Sequence, residues 1–134
     1  MIIGLSHVAI AVPNIAEPAE LLRRKFGIVI GSVTENTQQK TRLAYADLGN
    51  APLELIEPLT NDSPHTGFLA RSPNGGLHHI VFSVGDLQES LNELEKTGAR
   101  MVRPAGRNVH GDLIAFLHPA DTLGTLTELE GKAS

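Results

Sequence analysis

Two histidines and two glutamates in this 134-residue chain interrupt apolar runs at matched positions. His7 lies in Leu5-Ser6-His7-Val8-Ala9-Ile10, and His79 lies 72 residues on in Leu77-His78-His79-Ile80-Val81-Phe82. Glu54 sits in Leu53-Glu54-Leu55-Ile56 and Glu128 in Leu126-Thr127-Glu128-Leu129. The spacing from His to Glu is thus 47 residues in one pair and 49 in the other. A carboxylate among Leu and Ile is expensive to bury unless it is paired or coordinated. Two imidazole nitrogens and two carboxylate oxygens suit a divalent ion such as Co, Ni, Zn or Mn, and ligand softness favours none of the four. Water or substrate oxygens would fill the remaining positions. Taken singly, each residue is ordinary, a strand histidine or a solvent-facing glutamate. The repetition marks the set, because chance does not readily produce two symmetric His/Glu pairs.

The elements that must position these residues also repeat. Both histidine strands have the form L-x-H-(V/I)-x-(I/F)-x-V-x-(N/D)-(I/L), an apolar strand that ends in a turn and a helix cap. In the second copy Asp86 can cap a helix, with Glu89 three residues on. Leu87, Leu91 and Leu94 then form one apolar face, and Gly98 stops the helix. In the first copy Leu21, Leu22 and Phe26 supply that face and Gly27 the stop. Pro18 suits a helix start and not an interior, so the helix is expected to begin near Glu17. Three strands are expected after each helix: 28–35, 41–47 and 52–58, then 100–104, 113–118 and 126–130. Residues 59–76, rich in Pro, Asn, Ser and Gly, read as a connection. The expectation is an α+β fold of two paired βαβββ modules in a single domain over 1–134. Module one covers about 1–59 and module two about 77–131. If the modules pack about a pseudo-twofold axis, the two His/Glu pairs can converge.

Composition narrows the function classes. A chain of this length buries roughly two-thirds of its unfolded surface, enough for a core without staples. Cysteine is absent, so there is neither a disulfide framework nor thiolate chemistry. No stretch approaches the roughly 20 apolar residues of a membrane span, and the start has no basic n-region. Eleven Lys+Arg against fifteen Asp+Glu disfavour nucleic acid as the main partner. With 4% aromatics and no Trp, a base-stacking platform is not expected. These features describe a soluble, cytoplasmic protein without a membrane partner.

The other polar candidates carry less. His78 adjoins His79, and strand alternation sends it to the opposite face, where a surface role is expected. His65 and His118 lie at turns marked by Pro64 and Pro119 and are expected to do nothing chemical. His110 and Gly111, in the loop Asn108-Val109-His110-Gly111, are candidates for substrate contact. Arg23-Arg24-Lys25 reads as a solvated helix face, whereas Lys40 and Arg42 could meet a ligand phosphate.

The paired halves, with His on the first strand and Glu on the last, resemble the vicinal oxygen chelate superfamily of glyoxalases, bleomycin-resistance proteins and dioxygenases. Three stretches are similar, more narrowly, to the methylmalonyl-CoA epimerases. They are Gly49-Asn50 through Glu54-Leu55-Ile56-Glu57-Pro58-Leu59, Asp62-Ser63-Pro64 through Phe68-Leu69 to Gly76-Leu77-His78-His79-Ile80, and His110-Gly111 through Phe116-Leu117-His118-Pro119. The resemblance runs over nearly the whole chain. It implies a glyoxalase-like domain with a metal cleft, and His7, Glu54, His79 and Glu128 as ligands of a divalent ion (Co, Ni, Mn or Zn). The reaction implied is interconversion of (2R)- and (2S)-methylmalonyl-CoA through an enolate, linking propionyl-CoA metabolism to the succinyl-CoA branch, in a homodimer acting on a small-molecule acyl-CoA. Glu128 matches a position that is both ligand and acid/base. A glutamate that some epimerases carry on the second strand of module one aligns with Leu43, and leucine cannot move a proton. Glu54 is then expected as the second acid/base, with a metal-bound water as the alternative.

Three rivals share the fold. A glyoxalase I-like isomerase can use the same two-His, two-Glu set, so the ligands do not separate it from the epimerase; the epimerase-like stretches do. An extradiol dioxygenase would use iron with two His and one carboxylate, against which the fourth ligand argues. A non-enzymatic antibiotic-binding protein would prefer an aromatic-lined groove, and this chain has four Phe, one Tyr and no Trp.

Overall fold

The computed structural model describes residues 1–132; Ala133 and Ser134, the end of the expected domain, and the side chains of Arg103 and Pro104 lie outside the described residues. The fold is mixed α+β and follows the βαβββ pattern twice. Two compact units emerge, residues 8–78 and residues 1–7 with 79–134. The first seven residues fold with the second unit, so strand β1 (Ile2–Ala11) contributes its two halves to different units.

In residues 8–78 the strands run in the order β2 (Thr34–Asn36), β3 (Thr41–Ala46), β4 (Leu53–Pro58), β1. β1 and β4 are parallel, with Ala9 beside Glu54 and Ala11 beside Ile56. β3 is antiparallel to β4, with Tyr45 opposite Glu54 and Leu43 opposite Ile56. Because side chains alternate along a strand, this register sorts the unit into two faces. Leu55 and Ala44 pack with Val12, Ile15 and, from helix α1 (Ala16–Phe26), Ala19 and Leu22. Ala11, Leu43 and Ile56 pack on the other face with Tyr45, Phe68 and Leu69.

Three expectations for this unit change. Of the apolar residues assigned to α1, Leu22 packs on the core, whereas Leu21 and Phe26 are exposed at 41% and 68%. Three leucine-type positions in sequence overstate the face when only one side of a short helix meets the sheet. The expected strand over 28–35 is regular only at Thr34–Asn36. Ile30 enters the core and Gly31 N donates to Tyr45 O at 2.8 Å, but Val29 and Val33 are exposed and build no ladder. The connection also carries a helix, α2 (Thr66–Arg71), that its Pro and Gly content concealed.

In the second unit β5 (Gly76–Asp86) is followed by α3 (Leu87–Glu95), β6 (Met101–Arg107), β7 (Leu113–Leu117) and β8 (Leu126–Lys132). The order is β5-β8-β7-β6, with β1 beside β5. β5 and β8 are parallel; β7 is antiparallel to both β8 and β6. The Asp86 side chain accepts from Glu89 N at 2.8 Å, the expected cap of α3. Leu87 and Leu91 then pack with Val84, Ala115, Leu117 and Leu129. Burying each such side chain contributes roughly 1.5–3 kcal/mol. α1 is capped from one residue further out, where Asn14 Oδ1 accepts from Glu17 N at 3.0 Å. Gly27, at φ 67°, ends α1 by donating to the Arg23 carbonyl.

Gly75 and Gly49 both lie at positive φ, +85° and +90°, but in different surroundings. A β-carbon at Gly75 would collide with the backbone carbonyl of Ala11, whereas one at Gly49 meets nothing within 4 Å. Gly49→Ala is expected to cost about 1 kcal/mol, the backbone strain alone. Gly75→Ala should exceed that by about 1–3 kcal/mol of steric displacement. Urea midpoints of the two variants check the difference.

Candidate functional site

Strand alternation brings polar residues of the second unit onto one face. Glu128 on β8 has Val81 of β5 on one side and Phe116 of β7 on the other. His79, two residues before Val81, points the same way, and its ring meets Phe116 edge to face at a centroid distance of 5.8 Å. His79 Nε2 lies 3.4 Å from Glu128 Oε2. His7 reaches the same place from β1: its ring centroid is 6.3 Å from that of His79, and a nitrogen of each lies within 4.8 Å of the other. All three are buried, at 8%, 4% and 5% exposure for His7, His79 and Glu128.

Burial holds the His7 imidazole below its ordinary pKa; the Glu130 carboxylate opposes the shift and His110 adds to it. A neutral imidazole is the form that donates a lone pair to a metal. Two donors on one transition-metal ion lie roughly 3–4 Å apart when each bond is about 2.1 Å. The His79–Glu128 separation falls in that range, and three buried donors of mixed N and O type suit a divalent ion. The residues present therefore fit the group that the sequence implied.

Glu54 belongs to the other unit, on β4, and is 4% exposed. Its register neighbours are Ala9 and Tyr45, and Leu43 shares its face two residues from Tyr45. His110 and Gly111 are exposed in the β6–β7 loop, with Gly111 at φ +85°. The loop is organised by Asn108, whose Oδ1 accepts from His110 N at 2.9 Å and Asp112 N at 3.0 Å. Sequence reasoning passed over Ser6 and Glu130 and took Asn108 only as part of the loop Asn108–Gly111. Ser6 Oγ lies 3.0 Å from His7 Nδ1 and donates to Glu130 Oε1, and Asn108 Nδ2 donates to Glu130 Oε2 at 3.2 Å. The available signal was parity, since Glu130 lies two residues beyond Glu128 on the same strand face.

The remaining histidines have local roles. His78 is half-buried instead of lying at the surface: it stacks on His65 at 4.2 Å and meets Phe68 at 5.1 Å. A helix in the connection supplies that cover, which strand alternation alone could not reveal. His118 Nδ1 accepts from Ala120 N at 3.0 Å and caps a single 3-10 turn over Pro119–Asp121. Lys40 pairs with Asp62, and Arg42 Nε with Glu35 Oε1 at 3.2 Å, so both cations are engaged by carboxylates. His7→Ala and His79→Ala are each expected to weaken Co(II) binding about 100-fold or more, since even residues that only orient ligands are worth 10–100-fold. His118→Ala should leave metal affinity unchanged and lower stability by about 0.5–1.5 kcal/mol, one net hydrogen bond. Titration calorimetry on chelator-stripped protein and thermal melts separate the two effects.

Comparison with known proteins places the chain in a family. A profile of the Glyoxalase/Bleomycin resistance protein/Dioxygenase superfamily matches residues 6–116. The chain is 37% identical to an ethylmalonyl-CoA/methylmalonyl-CoA epimerase of Cereibacter sphaeroides, over 97% of this chain and 98% of that one. Among solved structures it is similar to methylmalonyl-CoA epimerase from Mycobacterium tuberculosis, with TM-score 0.88, 29% identity, and 99% and 90% of the two chains covered. A methylmalonyl-CoA epimerase in complex with methylmalonyl-CoA and NH4+ superposes with TM-score 0.86 and 30% identity, over 100% of this chain and 97% of that one. The chain belongs to the Glyoxalase/Bleomycin resistance protein/Dioxygenase superfamily, and within it to the family of the methylmalonyl-CoA epimerases.

Proposed function

We propose that the chain is a methylmalonyl-CoA epimerase, an isomerase that interconverts the (2R) and (2S) forms by moving a proton at C2. The observation that carries the reading is the burial, side by side, of His7, His79 and Glu128. The names of the similar proteins support the substrate class. His7, His79 and Glu128 would hold a divalent ion (Co, Ni, Mn or Zn), and Glu54 is proposed as the fourth ligand because it occupies the repeat position of Glu128 and is likewise buried. When bound, such an ion supplies Lewis-acid stabilisation of negative charge on the substrate oxygens.

The C2 hydrogen lies between a thioester and a carboxylate, so its removal leaves an enolate. Glu128 takes that proton: the C2–H bond breaks, its electron pair enters the enolate, and the carboxylate becomes a carboxylic acid. Inversion requires a proton delivered to the opposite face, and Glu54 serves as that acid, since Leu43 carries no exchangeable proton. His7 and His79 take no part in proton transfer; their role would be to hold the ion. Burial of the two acid/base groups keeps bulk water from both carboxylates. The reading extends, from the same resemblance, to a homodimer that uses a small-molecule acyl-CoA and, from composition, to a cytoplasmic location. Among the described residues no helix is long and apolar enough to cross a membrane.

In D2O, metal-stripped protein should leave the C2 proton signal of methylmalonyl-CoA intact, and adding Co(II) should make it disappear. A chirality-specific coupled assay then reads inversion. Absence of exchange with Co, Ni, Mn and Zn alike overturns the epimerase and favours a glyoxalase-like isomerase, assayed with a glutathione hemithioacetal. Glu128→Gln and Glu54→Gln, each saturated with metal, should lower turnover by about 10²–10⁴-fold, the ordinary worth of a positioned acid/base. Wild-type turnover in Glu54→Gln would remove Glu54 from that role.

A further inference from the structure

The hydrogen bonds behind His7 have a direction that can be worked out. Glu130 accepts at both oxygens, from Ser6 Oγ at Oε1 and from Asn108 Nδ2 at Oε2, 3.2 Å away. The Asn108 amide is held in that orientation because its Oδ1 already accepts from the backbone N–H groups of His110 and Asp112, at 2.9 and 3.0 Å. Asn108 can therefore present only N–H to Glu130. The Ser6 hydroxyl has a single proton, which goes to the carboxylate. Toward His7, 3.0 Å away, Ser6 Oγ then has only a lone pair to offer. His7 Nδ1 must carry its ring proton, and Nε2 is left with the lone pair. The opposite tautomer would set the Nδ1 lone pair against Ser6 Oγ with no proton between them, unless Ser6 turned its proton away from Glu130.

We infer that Ser6, Glu130 and Asn108 are positioning residues that hold His7 in the Nδ1–H tautomer, which puts the lone pair on Nε2 as the metal-binding nitrogen, and that tie this ring to the His110–Gly111 loop. The inference rests on the reading of His7 as a metal ligand. All three side chains are half-buried, so solvent competes with these bonds only in part. The chain of contacts is continuous from the loop to the ring. Asn108 N donates to Asp112 O at 3.0 Å, and Gly111 N donates to Asn108 O at 3.1 Å, so the loop and the amide move as one piece. Lys132 Nζ anchors the far side of the loop on Asp112 Oδ1 at 2.8 Å. A substrate that displaces His110 or Gly111 thus pulls on the carboxylate that fixes the His7 ring.

Glu130→Gln discriminates sharply, because it keeps shape and reverses one donor. Asn108 still donates, so the glutamine oxygen must face Asn108 and its NH2 must face Ser6. The Ser6 proton is then driven onto His7 Nδ1, which forces the Nε2–H tautomer and blocks the ligand nitrogen. Long-range 1H–15N correlation spectra of metal-free, 15N-histidine-labelled protein read this directly, with His7 assigned by its loss in His7→Gln. The expected result is Nδ1–H in the wild type and Nε2–H in Glu130→Gln. Co(II) affinity should fall about 10–100-fold in Glu130→Gln and in Ser6→Ala, and recover in Ser6→Thr, which retains the hydroxyl. Nε2–H in the wild type, or an unchanged tautomer and Co(II) affinity in Glu130→Gln, overturns the inference. The spectra use neither metal nor substrate, so a correct tautomer with no C2 exchange would refute the epimerase reading alone.

Discussion

Strand parity is the constraint on which the site depends. On β5 and β8, His79, Val81 and Glu128 take one face, while Phe82, Val84 and Leu129 take the other and pack with α3. The parallel register that sets Val81 beside Glu128 also sets Phe82 beside Leu129, so one geometric fact places both the core and the chemistry. A slip of one residue would turn Leu129 toward the site and Glu128 into the helix interface. Core burial on the α3 side therefore holds the acid and imidazole groups in register. The same logic governs residues 8–78, where Leu55 and Ala44 face α1 while Glu54, Leu43 and Tyr45 take the other face.

Parity also creates an electrostatic problem. Three titratable groups buried within a few ångströms of one another are costly unless they satisfy each other or a ligand. His79 and Glu128 partly do so, and the Glu130 carboxylate partly offsets the burial of His7. A protein selected only for stability would fill such a face with aliphatic residues. Retaining imidazole and carboxylate there is consistent with a site whose stability is subordinate to ion and proton chemistry.

Much of this was legible from particular residues. Asp86 with Glu89, Gly27, and Leu87 with Leu91 announced the helix boundaries and the α3 face, because capping and helical periodicity are local properties. The two His/Glu pairs stood out because the chain repeats and because a carboxylate within an apolar run such as Leu53-Glu54-Leu55-Ile56 is conspicuous. The failures were equally physical. Val29 and Val33 look like strand residues but lack a pairing partner, and pairing is not written locally. His78 looked exposed because the helix in the connection that covers it is short and hidden among breakers. The tie between Ser6, Asn108 and Glu130 was invisible because a serine and a glutamate within strands and an asparagine in a loop are common, and only contact distinguishes them.

The amino-acid sequence by itself determined the doubled βαβββ pattern, the helix caps and the matched positions of the two His/Glu pairs, since each follows from residue type and short-range spacing. Only the tertiary structure decided that residues 1–7 join the second unit, that His7 meets His79 and Glu128, and which ring nitrogen of His7 carries the proton. Those outcomes depend on strand pairing between residues more than 70 positions apart in sequence and on the direction of hydrogen bonds from Ser6 to Glu130, 124 residues away. Periodicity registers which face a residue takes; it carries no information about which distant strand that face will meet.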